Sequence, residues 1–296
     1  MGLIPEDKVF ITVATTGGVV GTKEKNPNVP EQPDEIARAA YECCNEGACQ
    51  IHIHARDKKG VPTGDPAVYS EIHSKIRALG CDIIIQDTTG TGPQVKEEDK
   101  IKCLEANPKP ETASLDMGTM VRSFGPYAGT GDLRWAKHFE EWALKMREAG
   151  VKPSMEVFND SHLREVRNLI AKGLVDKPYY VDFALGHGYH GGIEANPYHL
   201  WYLLHDLPEP QDTVWSVMGV GKEELTITTM GMLLGGGVRV GFEDNLYYRK
   251  GEPAKSNAQL VARAVRIARE LGKEPMTPDE ARKILGLKPL NITKNS

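Results

Sequence analysis

The feature of this 296-residue sequence that most constrains its fold is a repeated alternation of short β-branched runs with longer amphipathic stretches. Residues 49–54, for example, precede an amphipathic stretch near 67–79, and residues 179–185 precede one near 197–205. Strands that alternate with helices indicate βαβ units and a mainly parallel sheet. About eight such units follow one another, which is the number in a closed (β/α)8 barrel. We therefore predict a single TIM-barrel domain over residues 1–296, with a short helical tail from about residue 275.

A doubly wound Rossmann sheet is the alternative fold for the same alternation. Its Gly-x-Gly-x-x-Gly fingerprint should open the first helix of a βαβ unit. Here Gly17 and Gly18 follow the first predicted strand, but they lead into a long loop rich in Asn and Pro. The dinucleotide-binding sheet is therefore disfavoured relative to the barrel.

Charge and hydropathy exclude two classes of partner. The chain has 36 Lys and Arg against 41 Asp and Glu, a formal net charge of −5, whereas nucleic-acid binding requires a basic face. Its apolar runs are all shorter than the roughly 20 residues that cross a bilayer, and no signal peptide is evident. The five cysteines, an odd number without paired zinc-ribbon spacing, are typical of reduced thiols. We expect a cytoplasmic protein that binds neither nucleic acid nor membrane.

The sharpest motif lies at the end of the second predicted strand. Residues two apart on a strand point to the same face, so His52 and His54 share one face and Ile51 and Ile53 share the other. The outer face of a barrel packs on helices and suits isoleucine, which places both imidazoles inside the barrel near its mouth. Two neutral imidazoles held in this way form a divalent-metal pair. The alternative is a pair of hydrogen-bonded core histidines.

The last predicted strand, residues 238–242, supplies the second motif. Arg239, Gly241 and Glu243 have one parity and the apolar residues have the other, so Arg239 and Glu243 should point inward with the histidines. Glu243 can then be a third ligand, since two histidines and one glutamate with an open position form a known catalytic zinc site. Asp244 follows Glu243 where the strand ends, and it can be interpreted as a general base or as a cap of the following loop. An Arg–Glu salt bridge that only braces the barrel is the alternative for the inward pair.

Polar residues follow other predicted strands, at the barrel end where active sites lie. Taken singly, each of them would more often serve as a turn or a cap. Gly219 and Gly221 follow the seventh strand, a common phosphate position in barrels, although the full Walker pattern is missing. His187 and His190 lie on a Gly-rich loop after the sixth strand, where we favour a substrate-facing or neutral role over metal ligation. The remaining polar candidates are Thr88, Ser114, Thr119 and Glu156.

Together and in this order, the motifs resemble the β-keto acid cleavage enzymes along nearly the whole chain. The specific segments are His-Ile-His-Ala-Arg-Asp at residues 52–57 and Arg-Val-Gly-Phe-Glu-Asp-Asn at 239–245, supported by Glu-Val-Phe at 156–158. The resemblance implies a zinc-dependent barrel enzyme, commonly a homotetramer. Such enzymes condense a β-keto acid with acetyl-coenzyme A, giving acetoacetate and the coenzyme A thioester of the shortened acid.

The resemblance also implies roles for individual residues. Asp244 would remove a proton from the acetyl methyl group, and Arg239 would support that carboxylate and the developing charge. The founding member of the family has a Glu soon after the Thr-Gly that here is Thr16-Gly17, and it is thought to meet a substrate amine. This chain has Val20 in that region, which indicates an uncharged or apolar substrate. The implied zinc ligands are His52, His54 and Glu243, the substrate-binding residues are Thr88, Ser114, Thr119, Glu156 and Val20, and the coenzyme A-binding residues are Gly219 and Gly221.

Two other functions remain open at this stage. One is a zinc-dependent aldolase or hydrolase on the same barrel that does not use coenzyme A, although such hydrolases usually need further His and Asp ligands. The other is a binding protein that has lost catalysis. The intact set of His52, His54, Glu243 and Asp244 argues against it.

Overall fold

Eight strands close into a parallel barrel in the computed structural model of the chain, which describes residues 2–18, 22–123 and 127–290. Each strand pairs with the next one in sequence, and the last pairs with the first, with Arg239 opposite Thr12. The predicted (β/α)8 fold is therefore confirmed. In chain order the strands are β1 (Ile11–Ala14), β2 (Gln50–Ile53), β3 (Ile84–Asp87), β4 (Thr112–Asp116), β5 (Lys152–Val157), β6 (Tyr179–Leu185), β7 (Thr213–Gly219) and β8 (Gly237–Val240).

Helices follow the strands and cover the outside of the barrel. The sequence pattern near residues 97–107 predicts a third helix, whereas the structure has a single α-helical turn followed by a 3₁₀ segment, Ile101–Glu105. In 3₁₀ geometry residues three apart lie on one side, which buries Ile101 and Leu104 together. The helices are α1 (Pro33–Glu46), α2 (Pro66–Ala78), α3 (Glu97–Lys100), α4 (Ala136–Ala149), α5 (Asp160–Ala171), α6 (Pro197–His205), α7 (Glu224–Leu233), α8 (Asn257–Glu270) and α9 (Pro278–Leu285). Among the described residues, no helix is both long and apolar enough to cross a bilayer.

The main hydrophobic core is the layer between strands and helices. Ile51 and Ile53 lie in this layer, as their parity in β2 predicts, and so do Val238 and Val240 of β8. The opposite faces of these strands carry polar side chains into the barrel. The alternation therefore delivers His52 and Arg239 to the interior.

The predicted C-terminal tail closes the bottom of the barrel. Helix α9 begins after the N-cap Thr277 and ends at Gly286, which adopts a left-handed conformation with φ of 67°. Its Leu285 packs with Phe10 and Tyr180 in a second apolar cluster beneath the strands.

A small antiparallel sheet at the mouth of the barrel is absent from the sequence prediction, which treats these segments as Gly-rich loops. Met120–Arg122 pairs with Gly131–Asp132 on one side and with Tyr189–His190 on the other. The loops after β4 and β6 are thereby joined into one wall.

Candidate active site

His52 and His54 lie side by side at the mouth of the barrel. Their ring centroids are 5.2 Å apart, and both side chains are buried. Nδ1 of His52 lies 2.7 Å from Oε1 of Gln86 on the neighbouring strand β3. An amide oxygen can only accept, so Nδ1 carries the hydrogen and Nε2 presents a lone pair. Burial lowers the pKa of His52 to about 3, which keeps the ring neutral.

Glu243 reaches the two histidines from a turn rather than from a strand, because β8 ends two residues earlier than predicted. Gly241 has φ of 139°, and a Cβ atom there would lie 2.2 Å from the carbonyl oxygen of Ala14. The N–H of Glu243 donates to that same oxygen at 3.1 Å. The turn brings Glu243 Oε1 to 3.3 Å from Nε2 of His54 and Oε2 to 3.6 Å from Nε2 of His52.

These three side chains fit a divalent metal ion. Their ligand atoms lie within 4.8 Å of one another. Oε2 of Glu243 and Nδ1 of His54 are buried and have no hydrogen-bond partner among the described residues. Buried polar atoms without partners are costly, so a ligand that satisfies them is favoured. Two imidazole nitrogens and one carboxylate are donors that zinc accepts.

Arg239 joins the carboxylates behind this cluster. Its Nε and Nη2 donate to Oδ2 and Oδ1 of Asp244 at 2.8 and 3.0 Å, and Nη2 lies 2.5 Å from Oε1 of Glu243. Its Nη1 lies 3.6 Å from Oε1 of Glu156. Burial raises the pKa of Asp244 to about 6, against the opposing charge of Arg239. A carboxylate with such a pKa can exchange a proton near neutral pH.

A cavity opens at the C-terminal ends of the strands. His52, His54, Glu243, Thr88 and Glu156 line it, whereas Arg239 and Asp244 lie behind its wall. The hydroxyl of Thr88 accepts the N–H of Gly90 at 2.9 Å, so it is held in place at the end of β3. Burial, together with the charge of Asp116, raises the pKa of Glu156 well above its usual range.

Ser114 and Thr119, both predicted to bind substrate, are engaged in holding loops. The hydroxyl of Ser114 accepts the N–H of Thr89 at 3.1 Å, and the Thr89 hydroxyl donates to the Ser114 carbonyl at 2.7 Å. Thr119 is exposed, and its hydroxyl exchanges two hydrogen bonds with the backbone of Arg134. Neither residue lines the cavity. Val20 lies outside the described residues.

Gly219 and Gly221 occupy the junction between the loops after β7 and β8. Gly219 is the last residue of β7, and a 3₁₀ turn over Gly221–Glu223 precedes α7. The N–H of Gly221 donates to the carbonyl of Asp244 at 2.8 Å, and Gly221 has φ of 68°. Gly221 also borders a groove separate from the first cavity, which is lined in part by Lys222, Tyr247, Arg249 and Lys250.

Most of the wall that faces the histidines is not predicted by the sequence motifs. That wall is built from the end of β4 and the loops after β4, β5 and β6, and it includes Asp116, Met120, Arg122, Phe158, His187 and Tyr189. For His187 the prediction was a substrate-facing or neutral role, and the structure places it on the cavity. The signals in the sequence were the aromatic residue that ends the Glu-Val-Phe segment and the two histidines of the Gly-rich loop.

A parallel (β/α)8 barrel with a candidate metal centre at its C-terminal mouth defines the class of TIM-barrel enzymes. The chain belongs to the β-keto acid cleavage enzyme family, whose sequence profile matches residues 8–287. The solved apo structure of ObcA is similar in fold, with a TM-score of 0.75 at 16% sequence identity, covering 88% of this chain and 66% of that one.

Two relatives illustrate the range of the similarity. The chain is 38% identical over 285 residues to the 3-keto-5-aminohexanoate cleavage enzyme of Fusobacterium nucleatum subsp. nucleatum, covering 95% of this chain and 99% of that protein. It is 34% identical over 305 residues to the 3,5-dioxohexanoate:acetyl-CoA acetone transferase of Paraburkholderia graminis, covering 95% of this chain and 96% of that protein.

Proposed function

We propose that this chain condenses a β-keto acid with acetyl-coenzyme A and releases acetoacetate and the coenzyme A thioester of the shortened acid. The observation that carries the proposal is the meeting of His52, His54 and Glu243 with the Arg239–Asp244 pair at one cavity, in a member of this family. The names of its relatives support the co-substrate, because several of them specify transfer to acetyl-coenzyme A.

Zinc is the metal we propose for the three-residue cluster. Bound by His52, His54 and Glu243, it would supply a Lewis acid that polarises the carbonyl oxygen of the keto acid. Gln86 orients His52 by accepting its Nδ1–H, which leaves Nε2 for the metal. The Arg239 guanidinium, 2.5 Å from Glu243, holds that carboxylate in its ionised state.

The atom balance of the reaction decides which proton must be removed. Acetoacetate retains the acetyl group of acetyl-coenzyme A with its methyl intact, and takes its CH₂–COO⁻ unit from the keto acid. The proton to be abstracted is therefore on the keto acid carbon between ketone and carboxylate, not on the acetyl methyl group that the family resemblance first indicates. The resulting carbanion attacks the thioester carbonyl and displaces the coenzyme A thiolate. The thiolate then attacks the original ketone carbon, and the carbon–carbon bond breaks to leave the acetoacetate carbanion, which takes the proton back.

We assign this proton transfer to Asp244. Because its carboxylate lies behind the cavity wall, the assignment requires that the keto acid or one intervening water reach it. Its carboxylate has a raised pKa of about 6 and returns the proton to the acetoacetate carbanion in the last step, so no net proton is consumed. Both of its oxygens accept from Arg239, which fixes their orientation and stabilises negative charge at this point of the site. Thr88 and Glu156 line the keto acid pocket and supply hydrogen bonds to the bound acid.

The groove beside Gly221 is our candidate for the nucleotide end of coenzyme A. Lys222, Arg249 and Lys250 line it and provide cationic groups for phosphates, and Tyr247 offers an aromatic face. Gly221 joins this groove to the catalytic turn, because its N–H binds the Asp244 carbonyl.

We also propose a cytoplasmic homotetramer. The tetramer rests on the family resemblance, and the reducing compartment on five free cysteines, four of them buried. Light scattering coupled to size exclusion would test the assembly against the chain mass of 32.6 kDa.

A panel of β-keto acids assayed with acetyl-coenzyme A, with acetoacetate as the readout, tests the reaction. Cleavage that proceeds equally well without coenzyme A would favour an aldolase or hydrolase instead. His52→Ala should lose both bound metal, measured by elemental analysis, and acetoacetate formation. His205→Ala, an exposed helix histidine, is the matched control and should lose neither. Full activity of a metal-free His52→Ala enzyme would contradict the proposed metal role.

A further inference from the structure

The wall opposite the candidate metal centre contains a histidine to which the proposed reaction gives no role. In the barrel order β6 lies directly across from β2, so the loop after β6 faces the His52–His54 pair across the mouth. His187 follows β6 on this loop and lines the same cavity as the metal-binding cluster. A keto acid held at the cluster would extend its remaining carbon chain toward this wall.

Packing defines the orientation of the His187 ring. The ring stacks on Tyr189, with centroids 5.3 Å apart and planes inclined by 26°, and it meets Phe158 edge-on at 5.3 Å. Nε2 of His187 is buried and has no hydrogen-bond partner among the residues that the structure describes. An unpartnered buried ring nitrogen is costly unless another molecule satisfies it. An occupant of the cavity can supply that partner.

His187 is a neutral group on this wall. Burial, reinforced by the charge of Arg239, lowers its pKa to about 4. A neutral imidazole offers one N–H donor and one acceptor nitrogen. A second hydrogen-bond donor, the Arg122 guanidinium, lies on the same wall 6.0 Å from the centroid of Tyr189.

The carboxyl groups of this region are poorly suited to bind a cationic substrate. Oδ2 of Asp116 lies 3.0 Å from Nη1 of Arg134, which balances its charge. Burial and the nearby Asp116 raise the pKa of Glu156 well above its usual range, and Nη1 of Arg239 already lies 3.6 Å from its Oε1. The wall therefore favours an oxygen acceptor over an ammonium group.

We propose that His187 is a specificity-determining residue that donates its Nε2 hydrogen to an oxygen atom in the part of the keto acid beyond the ketone. The inference rests on the proposed function and names its substrate class: β-keto acids with a distal ketone or carboxylate oxygen rather than a distal ammonium group. The acceptor oxygen can belong to a neutral ketone or to an anionic carboxylate, and the experiment below distinguishes the two.

Four matched six-carbon acids test the proposal with the metal-loaded enzyme and acetyl-coenzyme A. They are 3,5-dioxohexanoate with a distal ketone, 3-oxoadipate with a distal carboxylate, 3-oxohexanoate with a plain alkyl chain, and 5-amino-3-oxohexanoate with a distal ammonium. We expect kcat/KM for at least one oxygen-bearing acid to exceed that for 3-oxohexanoate by about tenfold, the value of one good hydrogen bond. Whichever of the two oxygen-bearing acids is preferred identifies the acceptor as neutral or anionic.

Two variants attribute this preference to His187. His187→Phe keeps a ring against Tyr189 without the N–H, and should reduce kcat/KM for the preferred acid about tenfold while leaving 3-oxohexanoate within about twofold. His187→Gln retains an N–H donor and should restore part of the preference. The ratio of kcat/KM between two acids within one variant is independent of the fraction of enzyme that folds, so a folding defect does not imitate this result.

Three outcomes would overturn the proposal. The wild type could prefer the ammonium acid, or turn over 3-oxohexanoate as well as the oxygen-bearing acids, or His187→Phe could slow all four acids by the same factor. In each of these cases acetoacetate still forms, so the proposed reaction stands while the specificity role fails. If no acid of the panel yields acetoacetate, the proposed function fails and the specificity role fails with it.

Discussion

Two arginine–carboxylate networks at opposite ends of the barrel differ in how completely their atoms are paired. In the lower network, Glu111 binds Arg282 Nε at 2.6 Å and Arg77 Nη2 at 2.8 Å, and Arg282 also donates to the carbonyl of Asp82 at 2.6 Å. This network fastens α9 to the segments that precede β3 and β4. None of its side chains is among the buried polar groups that lack a partner within the described residues.

The upper network uses the same kind of interaction at the opposite end of the strands. Arg239 contacts Asp244, Glu243 and Glu156, but Oε2 of Glu243, Oε1 of Glu156 and Nδ1 of the adjacent His54 have no hydrogen-bond partner in the described part of the chain. A closed network braces a structure, whereas one with unpaired buried atoms at the C-terminal end of a barrel indicates a ligand site. The comparison predicts that the upper network governs turnover and the lower one governs stability.

The largest effect is expected for Asp244→Asn in the upper network. Asparagine keeps one oxygen for Arg239 but cannot act as a base, so kcat should fall about 10³-fold. The variant should stay folded by circular dichroism, and acetoacetate release at saturating substrates gives kcat. A decrease in kcat of less than tenfold would mean that Asp244 only positions Arg239. In that case the two networks would not differ in function as we propose.

In the lower network, Arg282→Ala should reduce the free energy of unfolding by about 3 kcal/mol, because it removes a buried arginine and leaves the half-buried carboxylate of Glu111 with one partner fewer. We expect the lower end of the usual range since Arg77 still pairs with Glu111. Urea titration measures the loss, and kcat at a temperature where the variant is folded should change less than about twofold. Arg269→Ala, which breaks an exposed pair with Glu274 at 3.1 Å, is the control and should cost under about 1 kcal/mol.

An intermediate effect is expected for Glu224→Gln, because Glu224 holds the turn after β8 that belongs to the upper network. Glu224 accepts the N–H of Gly241 at 3.2 Å, Nδ2 of Asn245 at 3.0 Å and Nη2 of Arg263 at 2.5 Å. It thus holds the turn that carries the candidate ligand and base. Glutamine retains only one acceptor oxygen, so we expect kcat to fall about tenfold through misplacement of the turn. An unchanged kcat would show that the turn is held by other contacts.

The same variant gives a pH test. Burial raises the pKa of Glu224 from 4.5 to about 7, so the folded state binds its proton more tightly than the unfolded state. The contribution of this group to stability is therefore greatest below pH 4.5 and decreases as pH rises toward 7. The wild-type free energy of unfolding, measured relative to Glu224→Gln, should fall across this interval. A flat difference would indicate that Arg263 keeps the carboxyl ionised throughout.

The smallest effect is expected for Ser114→Ala, which tests whether Ser114 lies outside the substrate-binding site. Because Ser114 bonds to Thr89 rather than lining the cavity, its loss should cost about 1 kcal/mol of stability and leave KM within about twofold. Isothermal denaturation and steady-state kinetics measure the two quantities. A large rise in KM would restore the substrate-binding role that the sequence indicates.

The sequence by itself determined the barrel and the inward polar groups. Strand β6 and helix α6 match their predicted bounds, and β2 delivers its histidines to the interior as its parity requires. These features are local, because the period of a strand or helix is carried by consecutive residues and the outer face must be apolar to pack.

Tertiary structure decided the rest. Glu243 reaches the histidines because the backbone of Gly241 approaches Ala14 more closely than a residue with a side chain could. The alternation of side chains along β8 does not predict this contact. The wall with His187 exists because the strand Met120–Arg122 pairs with Tyr189–His190, although these segments are far apart in the sequence. Ser114 likewise bonds to Thr89, a residue that is distant in sequence and lies in the loop after β3, instead of lining the cavity. Contacts between segments that are distant in sequence depend on how the loops pack against one another. The short-range periodicity of the sequence does not specify this packing.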